Sequence, residues 1–301
     1  MILNFDDKFD FLGDIHGNAT KFLQLIEKLG YVNLDNGWMH PENRQMIILG
    51  DFINVGRESK KVLLILREIW EKNVAYILVG NHEYFLALGH YKTGLEIFNK
   101  DSRLYNEYKP LFNEFESDRS ELTEYIEWFS SLPLFLETEK FRAVHAYWNN
   151  ENINLIGDDN CLKKILKFRK QKKEEIKSAV NETLNGKVIS INSFWGISRS
   201  QKLRVKWWNE LYNKDLVDNI IVHKKVNIKS KKITPELLPD FEPYKKSEKP
   251  VFFGHYWLKS LPFLLKNNVC CLDFGAAKGG YLAAYRFNGE KKLDARNLVW
   301  V

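Results

Sequence analysis

The sequence is poor in several features that would each have set a direction. It has three cysteines in 301 residues, Cys161, Cys270 and Cys271, too few for a disulfide framework; the adjacent pair suits a buried strand in which a thiol serves as a small apolar side chain. Long hydrophobic runs are missing. Stretches such as "VLLILREIW" are too short and too charged to cross a bilayer. The opening "MILNFDDKFDF" has neither the basic start nor the continuous apolar stretch of a secretory leader. These absences set the expectation of a cytoplasmic protein with reduced thiols and no membrane partner. Internal repeats and low-complexity linkers are missing too.

Apolar and basic residues are plentiful. Hydrophobic residues make up 45% of the chain, enough to bury a sizeable core in one large domain or two small ones. A formal net charge of +6 suits anionic partners: a phosphorylated small molecule, a nucleotide, a phosphoprotein or nucleic acid. Much of that charge lies in "CLKKILKFRKQKKEEIKSAV" and "HKKVNIKSKKITPE", which read as a solvated helix face and a loop rather than as a nucleic-acid surface. Nothing in the sequence sets an oligomeric state.

The first 80 residues alternate between strand and helix. "FDFLG" is a short apolar run, "ATKFLQLIEKLG" places Phe22, Leu25, Ile26 and Leu29 at helical spacing, "MIILG" is a second strand, "SKKVLLILREIWEKN" a second helix and "AYILVG" a third strand. This order predicts βαβ units with a parallel sheet, whose functional groups collect on loops after the strand C-terminal ends. From about 84 to 139 the pattern is helical. After "FRAVHA" a polar, lysine-rich stretch runs from about 150 to 249, and beyond Pro250 strand-like segments return, suggesting a second sheet or an antiparallel edge.

Three strand ends carry Gly followed by a metal-capable residue, in "LGDIHG", "LGDF" and "VGNHE", and two histidines follow later strands, in "AVHAYW" and "FFGHYW". Asp14, His16, Asp51, Asn81, His145 and His255 form a candidate ligand set of oxygens and nitrogens without thiolate, which suits Mn, Fe or Zn better than Ca or Mg. A carboxylate able to bridge, with ligands enough for two ions about 3.5–4 Å apart, is an arrangement for in-line displacement at phosphorus.

In order and rough spacing, "GDIHGN", "GD", "GNHE", "VHA" and "GH" resemble the calcineurin-like metallophosphoesterase superfamily, and "CLDFGAAKGGYLAAY" resembles its serine/threonine-phosphatase-like branch, nearest a bacterial group. The resemblance implies an α/β fold: one domain, 1–301, of two packed mixed sheets flanked by helices, with a helical insertion at about 84–139 and a basic one at about 150–249. It implies two divalent ions, Mn before Fe or Zn, with Asp14 and His16 on one, Asn81, His145 and His255 on the other, and Asp51 bridging. Water between the ions would attack phosphorus as hydroxide. His82 would be the general acid, and Glu83 would fix the loop backbone.

The family writes its second loop GDxxDRG, whereas this chain has "GDFINVG". Asn54 replaces the aspartate that orients the catalytic histidine, and is expected to accept from the His82 ring without stabilising its charge. Val55 replaces an arginine that clamps phosphate, a charge-assisted contact of about 1.5–3 kcal/mol. Arg57, Arg199 and Arg204 are candidate replacements for the clamp. The expected function is hydrolysis of a phosphate ester or anhydride, phosphoprotein-phosphatase-like or dinucleoside-polyphosphate-hydrolase-like. The alternative is a metal-binding module of weak activity.

Other residues divide between cleft and core. Tyr147, Trp148, Tyr256 and Trp257 follow ligand histidines and either stack on a base or pack the wall. Trp207 and Trp208 in "KWW" are expected to anchor the basic segment. Asp273, His40, His90 and His223 are expected to be structural or at the surface, and Asn18 to cap the helix that follows it.

Overall fold

The computed structural model describes residues 8–35, 37–158, 160–165, 173–191, 201–222 and 231–301. Along these, the chain runs through β1 (Phe9–Leu12), α1 (Ala19–Lys28), a hairpin of β2 (Val32–Leu34) and β3 (Gly37–Met39), β4 (Gln45–Ile48), α2 (Ser59–Glu71) and β5 (Ala75–Ile77). Three helices follow, α3 (Asn81–Thr93), α4 (Arg103–Glu114) and α5 (Arg119–Ser131), then β6 (Phe135–Glu137) and β7 (Arg142–Val144). The lysine-rich segment contributes α6 (Asn150–Ile156), α7 (Leu162–Ile165), α8 (Lys173–Asn185), β8 (Val188–Ile191), β9 (Gln201–Val205) and β10 (Ile220–Ile221). The last part is β11 (Val251–Phe253), β12 (Val269–Cys271), β13 (Asp273–Phe274), β14 (Tyr281–Phe287) and β15 (Leu298–Trp300).

Strand alternation builds two mixed sheets face to face. In the first, β1, β4 and β5 are parallel, and β14 closes against β1 antiparallel. In the second, β7, β11 and β12 are parallel and β6 is antiparallel to β7. Phe9, Phe11, Ile47 and Leu49 point inward from the first sheet and meet Phe141, Ala143, Phe252 and Cys270 from the second. The Phe11 and Phe252 rings stack with centroids 3.7 Å apart. Leu12, Met46 and Ile48 point the other way, toward Phe22, Leu25 and Ile26 of α1 and Val62, Leu63 and Leu66 of α2. The expected layered α/β fold is present, and the segments after Pro250 do both things proposed for them: β11 and β12 join the second sheet, and β14 and β15 extend the first.

Several local expectations hold. Cys270 and Cys271 are buried free thiols. Trp207 and Trp208 pack on Phe253, at 4.9 and 5.4 Å between ring centroids, and so tie the lysine-rich segment to the second sheet. Asn18 caps α1, its Oδ1 accepting from Lys21 N at 3.1 Å. His40 is buried, one ring nitrogen 3.1 Å from the Leu29 carbonyl and the other accepting from Glu42 N. His223 lies outside the described residues. No helix among the described residues is long and apolar enough to cross a membrane.

A buried ion cluster pins the first sheet at the end away from the strand C-termini. Asp10, fully buried, accepts from Arg44 Nη2 at 2.9 Å, from Tyr31 Oη at 3.1 Å and from Arg286 Nε at 3.3 Å. Arg44 Nη2 also reaches the carbonyls of Phe9 and Phe287. Removing one member leaves a buried charge uncompensated. Asp10→Ala is therefore expected to lower unfolding free energy by about 3–5 kcal/mol, measured by urea denaturation; a loss within experimental error would show that the cluster is dispensable.

Candidate metal centre

Five loops leave the C-terminal ends of neighbouring parallel strands, three from β1, β4 and β5 and two from β7 and β11. They carry Asp14 and His16, Asp51, Asn81 to Glu83, His145, and His255. The loops hold one another through their backbones. His16 N and Gly17 N donate to Asp51 O and Phe52 O at 2.9 and 2.8 Å, Gly56 N donates to His16 O at 2.9 Å, and Gly254 N donates to His145 O at 2.9 Å. A Cβ on Gly80 would lie 2.2 Å from Asp51 Oδ1, and one on Gly254 would lie 1.9 Å from Asp14 Oδ1. The glycine preceding the ligand is thus a requirement for loop contact.

Glu83 does more than complete a motif. Fully buried, its Oε2 accepts from Asp51 N and Gly80 N, both at 2.9 Å, and its Oε1 from Phe52 N at 2.9 Å and Ile53 N at 3.0 Å. Burial and nearby Asp51 push its carboxyl up, while the backbone donors pull the other way. The result is a fixed turn that presents Asp51 with φ +48°. His16 (φ +47°), Asn54 (+66°), Val55 (+67°) and His255 (+69°) share this left-handed region, so backbone strain concentrates around the candidate ligands.

At the centre, Asp51 Oδ2 lies 3.4 Å from His145 Nε2, 3.7 Å from His16 Nε2 and 4.0 Å from His82 Nε2. Burial alone would raise the Asp51 carboxyl, but His145, His82 and His16 hold it well below the usual range. Asp14 is driven up by burial and by the carboxylates of Asp273 and Asp51. His255 is held well below its ordinary value by burial, Arg204 and His145, which keeps its imidazole neutral.

Ring hydrogen bonds orient the imidazoles. His145 Nδ1 is 2.8 Å from the Leu49 carbonyl and His16 Nδ1 is 3.3 Å from the Ile53 carbonyl. Donation from Nδ1 to these carbonyls turns each Nε2 toward Asp51; burial lowers the His145 imidazole, but the Asp51 carboxylate beside it raises it on balance. His82 is the opposite case. The amide nitrogen of Asn54 donates to the Glu107 carbonyl at 3.2 Å, which turns the same NH2 toward His82 Nδ1, also at 3.2 Å. The expectation that Asn54 accepts from the ring is thus corrected: it donates, so His82 carries its proton on Nε2, toward the cleft. Tyr108 Oη donates to the His82 carbonyl at 2.8 Å and His82 N to Asp51 Oδ1 at 3.0 Å, fixing the residue's backbone.

A divalent cation fits this donor set. Asn81 Oδ1 lies 3.1 Å from His145 Nε2, 2.9 Å from His255 Nδ1 and 3.2 Å from Asp51 Oδ2. With the amide oxygen on this side it faces acceptors, which a cation satisfies and which otherwise only the turned amide, donating its NH2, would satisfy; the spacing is the roughly 3–3.4 Å of atoms bound about 2.1 Å from one ion. His255 Nε2 is buried with no hydrogen-bond partner among the described residues. His16, Asp51 and His82 make a second convergent group sharing Asp51 with His145 and His255, and Asp14 Oδ2 stands 3.8 Å from His16 Nε2.

The cleft above these residues, about 250 Å³, is lined by Val55, Arg204, Trp257, Asp273 and Lys278 in addition to Asp14, His16, Asp51, Asn81, His82 and His255. Of the three arginines considered as clamps, Arg204 lines it, with its Nε on the Asn185 carbonyl at 3.1 Å. Arg57 is exposed and is not a lining residue, and Arg199 lies outside the described residues. Tyr147, Trp148 and Tyr256 are buried in the wall, whereas Trp257 faces the cleft. Asp273 is a positioning group: Oδ2 accepts from Trp257 N and Oδ1 from Gly275 N. Lys278 escaped sequence reading; its signal was a lysine between glycines in "GAAKGG".

The sequence model of the calcineurin-like phosphoesterase family matches residues 8–256. Among curated proteins, the chain is 28% identical over 142 residues to an asymmetrical bis(5'-nucleosyl)-tetraphosphatase PrpE of Oceanobacillus iheyensis, covering 46% of this chain and 55% of that protein. A PrpE of Bacillus cereus is 42% identical over 77 residues, covering 25% of this chain and 31% of the other. The matched stretches thus span at most 55% of these two relatives' lengths. A solved structure of a candidate diadenosine tetraphosphatase superposes with a TM-score of 0.51 at 16% identity, covering 100% of this chain and 95% of that one, a likeness of fold.

Two outcomes follow for the second loop. Glu83→Gln replaces one oxygen that receives two N–H groups by an NH2 that repels them; calorimetric affinity for Mn is expected to fall by roughly 10–100-fold, and an unchanged affinity would refute the positioning role. Val55 is β-branched at φ +67°, so Val55→Asn is expected to stabilise the fold by up to about 1 kcal/mol in denaturant melts; destabilisation would show that the left-handed conformation carries no strain.

Proposed function

Since the chain belongs to the calcineurin-like phosphoesterase family, we propose that it hydrolyses a phosphate ester or anhydride with the help of two divalent ions, Mn being the best match to the donors. Asp14 and His16 would hold one ion, Asn81, His145 and His255 the other, and Asp51 both. Such an ion pair, when bound, supplies an acidified water as nucleophile and neutralises charge on the phosphoryl oxygens.

The observation that carries this reading is that Asn81 Oδ1, His145 Nε2, His255 Nδ1 and Asp51 Oδ2 converge on one point, as ligands of a single ion would. His82, with Nδ1 accepting from Asn54 and burial holding its imidazole below its ordinary value, presents the Nε2–H of a neutral ring to the cleft, a hydrogen-bond donor for the departing oxygen. Asn54, by donating to Nδ1, keeps that proton on the useful nitrogen without the negative charge an aspartate would add. Arg204 takes the phosphate-binding part of the arginine that Val55 replaces. The similarity to PrpE favours a dinucleoside polyphosphate over a phosphoprotein as substrate.

Wild-type protein with added Mn is expected to hydrolyse p-nitrophenyl phosphate and diadenosine tetraphosphate, and Asp51→Asn to abolish both. Absence of turnover with Mn, Fe or Zn on either substrate would overturn the proposal in favour of a metal-binding module. Arg204→Ala is expected to raise KM about tenfold, the size of a lost charge-assisted contact; an unchanged KM would remove it as the clamp.

A further inference from the structure

We infer that Lys278 is a specificity-determining residue that binds a substrate phosphate beyond the scissile one, so that the cleft selects oligophosphates over phosphomonoesters. The inference rests on the hydrolase reading above and extends it to the rim of the same cleft.

Charge along the cleft is layered. The carboxylates of Asp14, Asp51 and Asp273 line it together with the histidines, and the cationic side chains among its described lining residues are Arg204 and Lys278. They come from unrelated elements, Arg204 from β9 and Lys278 from the end of a short 3-10 turn, Ala276–Lys278. With Arg204 assigned to the scissile phosphate, Lys278 is left with no function in the reaction so far described. It is exposed, and its ammonium makes no ion pair or hydrogen bond among the described residues. It stands 4.2 Å above the ring of Trp257, a contact that locates a cation while leaving its charge and its three donors available. Lys259 approaches the same ring at 4.7 Å, so positive charge gathers at this edge.

The support beneath Lys278 is rigid. Trp257 N donates to Asp273 Oδ2 at 2.6 Å, and its ring lies so close to Gly275 that a Cβ there would be 2.1 Å from Trp257 Nε1. Gly275, at φ +73°, and Gly279, at φ +83°, bracket the turn. Gly275 N donates to Asp273 Oδ1 at 3.0 Å, and Lys278 N and Gly280 N return to Gly275 O at 2.9 and 3.0 Å. From α1, Lys21 Nζ donates to Ala276 O at 3.3 Å and to Gly280 O. A cation held in place before binding loses little freedom when an anion arrives. A phosphomonoester has a single phosphate, already claimed by the centre. Only a substrate with further phosphates in line can also use Lys278.

The test compares two substrates and one binding measurement. Lys278→Ala should raise KM for diadenosine tetraphosphate about tenfold relative to the change in KM for p-nitrophenyl phosphate, the size of one charge-assisted phosphate contact, and Lys278→Arg should restore most of the difference. By calorimetry on Mn-loaded protein, the same Lys278→Ala change should weaken β,γ-methylene ATP about tenfold more than inorganic phosphate. Equal effects on both substrates and on both ligands, or none, would overturn the assignment. If wild-type protein turns over neither substrate, the hydrolase reading fails, and the calorimetric comparison still decides Lys278.

Discussion

One buried carboxylate holds the centre together. Glu83 collects four backbone N–H groups from two loops, and without it the turn after β4 would have to satisfy those donors elsewhere. A fully buried carboxylate offers the four acceptor positions that these donors fill. By taking them, Glu83 fixes the left-handed backbone of Asp51 and so the position of its carboxylate between the imidazoles. The remaining loops then dock against this turn through hydrogen bonds and glycine contacts that leave no room for a Cβ.

The consequence is a close cluster of carboxylates, an amide and imidazoles gathered around Asp51. Two mixed sheets bring the C-terminal ends of their parallel strands together, and strained residues at those ends turn side chains inward. Burial then makes each unneutralised charge expensive. The direction of the Asp14 shift, upward under burial and two neighbouring carboxylates, expresses the same cost. Around that negative centre stands a sparse positive edge made by Arg204 and Lys278, which on the proposed reading would separate the place of the ions from that of the phosphate groups.

Much of this was legible from sequence because it rests on local rules. Strand patterns ending in Gly-Asp or Gly-Asn located the loops, the buried thiols of β12 were read directly, and the backbone work of Glu83 was implied by the resemblance to the family. What escaped depended on contacts between distant segments. The polarity of the Asn54 to His82 bond is set by the Glu107 carbonyl, from a helix more than 50 residues away, and no motif encodes it. Arg57, adjacent in sequence to the altered loop, is exposed and does not line the cleft, while Arg204 reaches it from a strand in the lysine-rich segment. That segment's lack of periodicity concealed a three-stranded sheet whose strands β8 and β9 show only a few apolar positions facing the core. Lys278 was hidden for a similar reason: its partner, Trp257, lies about 20 residues earlier, and only the fold places one over the other.

The central claim is that these side chains form a cradle for a pair of ions sharing Asp51. Anomalous diffraction from crystals of the protein soaked in Mn tests it most directly. The account predicts two peaks flanking the Asp51 carboxylate, about 3.5–4 Å apart, one beside Asp14 and His16 and the other beside Asn81, His145 and His255. A map with no anomalous density among these residues at saturating Mn would contradict it.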